Sequence, residues 1–272
     1  MARKLKTFQT ISRSDLAWCR KLRLHSELPD ENVAALRSIV SPVRVLPEDL
    51  VIVREGDLST QCCVILSGFA YRSKVAENGK RQILSFHIAG DMPDLQGLPL
   101  KRMDHDLTTL WEARLGFIKH EALESVLEPR PTLARALWRE TLVDALLFRQ
   151  WIVNLGTRST AGRMAYLIGE LRQRLATMGL VVNEQFDFPI TQSKLADALG
   201  LSIVHVNRVL QTFRTEGILD LKRRVVTLKD SKRLSSSADL TAWRTMLSAR
   251  KIEIRSRRIR PAGQSKGTGR AG

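Results

Sequence analysis

Between Thr191 and Phe213 the chain reads TQSKLADALGLSIVHVNRVLQTF, and several of these residues carry hydrogen-bonding chemistry that a protein core disfavours. Val206, Val209, Leu210 and Phe213 recur at i, i+3, i+4 and i+7, the inner face of a helix. Subtracting them leaves Ile203, Val204, His205, Asn207 and Arg208 facing outward near the helix start, with the hydroxyl of Ser202 placed to cap it. An arginine can donate two hydrogen bonds to guanine, an asparagine can pair twice with adenine, and an apolar side chain can touch the thymine methyl. A shorter helix precedes this one. It opens at Thr191, whose side-chain oxygen can accept from free N–H groups. It turns Leu195, Ala196 and Leu199 inward and ends at Gly200, where glycine tolerates a sharp turn. Two short helices joined at a glycine occur in many helical proteins; where they form a DNA-binding helix-turn-helix, the N-terminal part of the second lies in the major groove.

Neighbouring residues extend the reading. Ile218 to Leu221 and Val225 to Leu228 form an expected hairpin with Lys222, Arg223 and Arg224 at its tip, where a wing would meet phosphates. Thr191, Gln192 and Ser193 complete the candidate DNA-contacting set, and Lys194 and Arg214 add charge nearby. Other chemistry is weakly supported. His87 and His105 have no second ligand at metal spacing, so each reads as an ordinary strand or loop histidine. Cys19, Cys62 and Cys63 fit neither a zinc site nor a redox pair. Cys62 and Cys63 should point to opposite faces of a strand, one of them into the core. His25 with Glu27, and Asp104 with Asp106, make no catalytic arrangement, and no enzyme is expected.

The elements that must hold these residues follow from the rest of the 272-residue chain, long enough for two domains. Residues 1–28 read as a basic N-terminal extension, helical in part. Within residues 29–128, short β-rich runs alternate with glycines, and Asn78-Gly79 is a hairpin signal. Strands this short suggest an all-β barrel or sandwich. Residues 129–156 read as one long helix. Ala134, Trp138, Thr141, Ala145, Phe148, Ile152 and Leu155 step by 4 and 3 along it, a heptad seam. Leu137, Leu142, Leu146 and Val153 widen that face. Such a helix either lies in its own core or pairs with a second copy of the chain; the width favours a homodimer. Residues 157–231 hold the helix-turn-helix, with a hinge expected over Gly156-Thr157-Arg158-Ser159. Residues 232–272 read as a basic, largely disordered tail, holding 11 of the 44 Lys and Arg residues and 2 of the 28 Asp and Glu residues. The net charge of +16 favours a polyanionic partner. No apolar run approaches membrane-spanning length and no secretion signal follows the basic start, so a cytoplasmic, membrane-free protein is expected.

Glu55-Gly56-Asp57, Ile65-Leu66-Ser67-Gly68, Ala89-Gly90-Asp91, the run Ala136 to Gly156 and the stretch Thr191 to Gly217 together resemble the Crp/Fnr family of bacterial transcription regulators over roughly residues 30–230. The resemblance implies an α+β fold: an N-terminal antiparallel β-roll (double-stranded β-helix, jelly-roll-like), a long dimerisation helix and a C-terminal winged helix-turn-helix. It implies a homodimer on a near-palindromic site in double-stranded DNA, RNA polymerase as a further partner, and Arg208 as the reader of guanine. The position of Val204 is commonly a base-contacting glutamate, so the sequence read should differ here. Cyclic-nucleotide-binding members look like Gly-Glu followed by Arg-Ser or Arg-Thr. Here Leu95 stands about where the ribose-binding glutamate would be, and no arginine between Lys101 and Thr109 precedes a small hydroxyl residue. A cyclic phosphate buried without that guanidinium would leave its charge unpaired, so tight cyclic AMP binding is not expected. Oxygen-sensing members resemble a four-cysteine iron–sulfur site, and this chain has only Cys19 near its start, so no cluster is expected either. No other cofactor and no metal is expected. The alternative from another class is a small-molecule-binding module whose helix-turn-helix is only structural.

Overall fold

The computed structural model of the protein describes residues 7–8 and 17–238. Strand β1 (Thr7–Phe8) and helices α1 (Ala17–His25) and α2 (Asp30–Ser38) come first. Next are β2 (Val43–Leu46), β3 (Val51–Val53), β4 (Gln61–Ser67), β5 (Ala70–Val75), β6 (Arg81–His87), the short helix α3 (Gly97–Leu100), β7 (Asp106–Thr109) and β8 (Ala113–Lys119). The strands form two antiparallel sheets, ordered β1-β2-β8-β4 and β3-β7-β5-β6. Leu46, Cys63, Ile65, Leu107, Leu115 and Phe117 fill the space between them. This is the expected β-roll.

Helices cover the outer face of β4, because Cys62, Val64 and Leu66 are as apolar as the inward residues. Trp18 and Leu22 of α1 pack there with Leu36 of α2. Helix α1 is therefore built into the core through Trp18, Cys19 and Leu22. Both adjacent cysteines are buried for the same reason, Cys63 inside the roll and Cys62 beneath the helices. The hairpin between β5 and β6 forms, but only Gly79 of its turn pair has positive φ, at 75°. The chain has a longer loop there, closed by the Ala76 N–H donating to Lys80 O.

Helix α4 (His120–Leu127) leads to the long α5 (Pro131–Thr157) and then α6 (Thr160–Thr177). The break falls at Arg158 and Ser159, both extended, within the expected hinge Gly156 to Ser159, while Gly156 and Thr157 stay helical. Proline at the start of α5 suits a first turn that has no use for its missing N–H. The remainder is β9 (Gln185–Asp187), α7 (Gln192–Leu199), α8 (Ile203–Thr215), the hairpin β10 (Leu219–Lys222) and β11 (Val225–Leu228), and α9 (Ser231–Ala238). Their sheet is ordered β10-β11-β9. Helix α9 packs on α6 and buries Leu234, so the ordered unit runs past the expected tail boundary at 232. The rest of that tail lies outside the described residues. The outer face of β5 and β6 (Tyr71, Ile83, Phe86) shares one apolar cluster with α6 and the C-terminal helices. Among the described residues no helix is long and apolar enough to cross a membrane.

Candidate nucleic-acid interface

Two caps and one glycine set the geometry of α7 and α8. The Thr191 hydroxyl accepts from the Lys194 N–H at 3.3 Å, and the Ser202 hydroxyl accepts from the His205 N–H at 3.3 Å. Gly200 takes φ +62° between the helices, a left-handed conformation that costs other residues more. Leu195, Ala198 and Leu199 of α7 and Val206, Val209 and Phe213 of α8 are buried against each other and α6. What remains of α8 faces water: Ser202, Ile203, Val204, His205, Asn207 and Arg208 are all exposed. Ile203 is 48% exposed and Val204 65%. Ser202 Oγ lies 3.1 Å from His205 Nδ1, which steadies the start of the helix. The side chains of Asn207 and Arg208 have no polar partner among the described residues.

Gln211 and Thr212 are exposed on the same side. Neither belongs to the expected DNA-contacting set. The signal was available, since Gln211 is seven residues after Val204 and three after Arg208.

Around this helix the expected cations have separate fates. Gln192 and Ser193 are exposed beside the half-buried Thr191. Lys194, read as a nearby surface charge, is buried; it pairs with Asp49 of the β-roll at 2.6 Å and sits 5.7 Å from the Tyr71 ring. Arg214 pairs with Asp220 at 3.2 Å, and Lys222 pairs with the same carboxylate at 2.6 Å. The wing tip is a two-residue turn, because Lys222 and Val225 face each other across the hairpin. Arg223 and Arg224 have φ of +49° and +66°, values that Asn-Gly would adopt more cheaply. Turn geometry therefore does not explain the two arginines. Arg223 extends into solvent. Arg224 instead stacks on Trp111 of the roll, 3.6 Å from the ring centroid, with Glu48 at 3.4 Å.

The long helix α5 has two characters. Leu133, Ala136, Leu137, Trp151 and Asn154 are buried against the chain's own elements. Trp138, Leu142, Ile152 and Val153 are exposed, Ile152 by 71%. Ala134, Thr141, Ala145, Phe148 and Leu155 are half-buried between these faces.

Where the roll meets α5 there is a cavity of about 460 Å³, lined among others by Arg72, His87, Gln96, His105, Asp144 and Phe148. Its charges are matched within the chain. Arg72 donates to Asp144 at 2.5 Å and to the Pro93 carbonyl, and lies over the Phe148 ring. Lys21 bridges Asp91 at 2.9 Å and Glu140 at 2.5 Å, and Arg174 joins Asp91 to Glu170. Burial would raise the Asp91 carboxyl, but Lys21 and Arg174 outweigh it and hold it well below the usual range. Burial, reinforced by Arg72, lowers His87 to about 4, so its ring is neutral at pH 7. Leu95 is buried in the apolar cluster beneath α1, and the neighbouring Asp94 accepts the Cys63 N–H. Burial raises all three cysteine thiols, which disfavours the reactive thiolate. Among the described residues no group of three or more His, Cys, Asp or Glu could hold a metal ion.

Comparison with known proteins matches both halves. Residues 43–130 fit the family model of the cyclic nucleotide-binding domain, and residues 162–237 that of the Crp-like helix-turn-helix domain. The chain is similar to the transcriptional activator protein FnrA of Stutzerimonas stutzeri, 26% identical over 74% of this chain and 82% of that one. It is similar to the transcriptional activator protein anr of Pseudomonas aeruginosa, 24% identical over 80% and 88%. The solved structure of FixK2 from Bradyrhizobium japonicum has the same fold, with a TM-score of 0.66 at 23% identity over 72% of this chain and 96% of that one.

Proposed function

The chain belongs to the Crp/Fnr family of transcription regulators, and from that premise we propose that it acts as a homodimer on a near-palindromic site in double-stranded DNA. The observation that carries this reading is the division of α8 into a buried face that builds the domain and an exposed face on which Ser202, His205, Asn207 and Arg208 line up beside Ile203 and Val204. A helix-turn-helix used only as structure has no need of that face. The exposed stripe of Trp138, Leu142, Ile152 and Val153 on α5 supports pairing with a second copy, which would bring two recognition helices to one side of the duplex. Their spacing should match one turn of DNA, roughly 34 Å. DNA and RNA polymerase, the partner expected at a promoter, put the protein in the cytoplasm.

The roll in this reading works without cyclic AMP. Arg72 and Arg174 are the largely buried arginines of the cavity; the first is spent on Asp144 and Pro93 and the second on Asp91 and Glu170, leaving little for a phosphate. A signal, if one acts, would change how the roll sits on α5 and shift the population of dimers whose recognition helices fit DNA. Selection of bound sequences from a random duplex pool tests the proposal. A two-fold symmetric site of nanomolar affinity is expected, with a dimer in sedimentation that Trp138→Asp dissociates. Equal affinity for all sequences, or a stable monomer, overturns it. Low-micromolar cyclic AMP binding in calorimetry would overturn the reading of the roll.

A further inference from the structure

Resting on the reading of α8 as the recognition helix, we infer that Val204 is a base-reading residue and that it reads the 5-methyl group of a thymine within one or two base steps of the guanine contacted by Arg208. Residues 204, 208 and 211 stand at i, i+4 and i+7 and so form one line along α8, opposite the buried Val206, Val209 and Phe213. Val204 is the more exposed of the two apolar residues in the first turn, 65% against 48% for Ile203. A β-branched side chain has little rotamer freedom in a helix, so its methyl groups are presented in a fixed direction.

The chemistry of the groove leaves valine one good partner. Guanine shows two acceptors there, cytosine an amino donor, and adenine one of each; thymine alone adds a methyl group. An isopropyl group pressed on a polar edge removes water and returns no hydrogen bond, which disfavours those bases. On thymine it buries two apolar surfaces. The residue thus selects in both directions, by contact with one base and by uncompensated desolvation of the others. The distance to the guanine follows from helix rise. Four residues advance about 6 Å along α8, against about 3.4 Å between stacked bases. Val204 is also close to the helix N-terminus, the part that contacts base edges in this motif, so a short side chain can reach.

The test uses the full-length protein and an operator selected from random duplex. Each thymine of a half-site is replaced singly by uracil, which removes only the methyl group, and Kd is measured. One thymine per half-site, beside the guanine whose preference vanishes in Arg208→Ala, should show about fourfold weaker binding on losing its methyl. In Val204→Ala the difference between thymine and uracil at that position should fall towards onefold, with the other thymines unaffected. Val204→Glu should turn the preference to cytosine, whose amino group can donate a hydrogen bond to the carboxylate. The inference is overturned if no thymine near that guanine is sensitive to its methyl, if Val204→Ala leaves the sensitivity intact, or if Ile203→Ala abolishes it instead. A protein that selects no site at all refutes the DNA-binding reading, whereas a site with no methyl-sensitive thymine refutes this inference alone.

Discussion

The junction between the roll and α5 and the outer face of α8 both concentrate polar side chains, and they treat them in opposite ways. At the junction, Arg72, Lys21 and Arg174 meet Asp144, Asp91, Glu140 and Glu170 in ion pairs of 2.5–2.9 Å, largely out of water. On α8 the side chains of Asn207 and Arg208 end without a polar partner among the described residues, and Ser202 and His205 satisfy only each other. Charges matched inside the chain position its parts. Donors and acceptors left open on a rigid, well-packed helix are available to a partner. A junction whose charges are matched internally can thus brace the roll on α5, while the surface that needs an outside molecule stays unsatisfied.

The largest test of this contrast is to break the brace. Asp144→Ala leaves the buried Arg72 guanidinium without its carboxylate. Removing one member of a buried pair costs about 3–5 kcal/mol, and the partial exposure of Asp144 puts the expected loss near the lower end. Denaturant unfolding of the protein should register it. The double substitution Arg72→Met with Asp144→Leu should recover most of the loss, because no charge is then left buried. A near-zero cost for Asp144→Ala would mean that the junction is as open as α8, and the comparison would fail.

A second test uses two buried groups whose protonation opposes. Burial, then Arg72, lowers His87 from 6.5 to about 4. The stability this neutral ring brings is complete above pH 6.5 and is lost as pH falls towards 4. Burial raises Asp94 from 3.8 to about 6. Its contribution is complete below pH 3.8 and is lost as pH rises towards 6. Each amounts to about 3 kcal/mol at about 1.4 kcal/mol per pH unit, so their slopes nearly cancel between pH 4 and 6. In Asp94→Asn, stability should rise with pH from 4 to 6.5; in His87→Gln it should fall from pH 4 to 6. Flat profiles in both variants would show that neither group changes protonation on unfolding.

At the open face the expected effects are smaller and fall on binding. Arg208→Ala should cost about 1–3 kcal/mol at one base pair per half-site and relax the preference there, with global stability unchanged. Equal losses on every sequence would mean that Arg208 touches phosphate and reads no base.

These two regions also differ in how far the sequence revealed them. The face of α8 was legible because its apolar residues repeat with the helix period, and the residues left after subtraction are the exposed ones. The heptad steps of α5 likewise marked Trp138 and Ile152, which the fold leaves in water. The brace was not legible. Arg72 and Asp144 are 72 residues apart, and Arg174 and Asp91 are 83 apart, so no local pattern joins them. Lys194 misled for the same reason: its partner Asp49 lies 145 residues upstream. Strand alternation gave the opposite directions of Cys62 and Cys63, but not the helices that cover the outer one.

Arg224 stands between the two regions and gives the finest test. It belongs to the wing, yet its guanidinium lies on Trp111 and near Glu48, so it is matched within the chain. Arg223, beside it, is open. A stacked pair at a partly exposed site is worth about 0.5–1 kcal/mol, enough to hold an arginine but not to lock it. Each phosphate that a cationic side chain neutralises adds about 0.9 to the slope of log affinity against log salt. Arg223→Ala should therefore flatten the slope by about 0.9 for each phosphate the arginine neutralises, while Arg224→Ala leaves it unchanged. Trp111→Ala should steepen the slope by releasing Arg224 to the DNA. If Arg224→Ala flattens the slope as much as Arg223→Ala does, the wing lets go of the roll on binding. The matched and open regions would then exchange a residue during function.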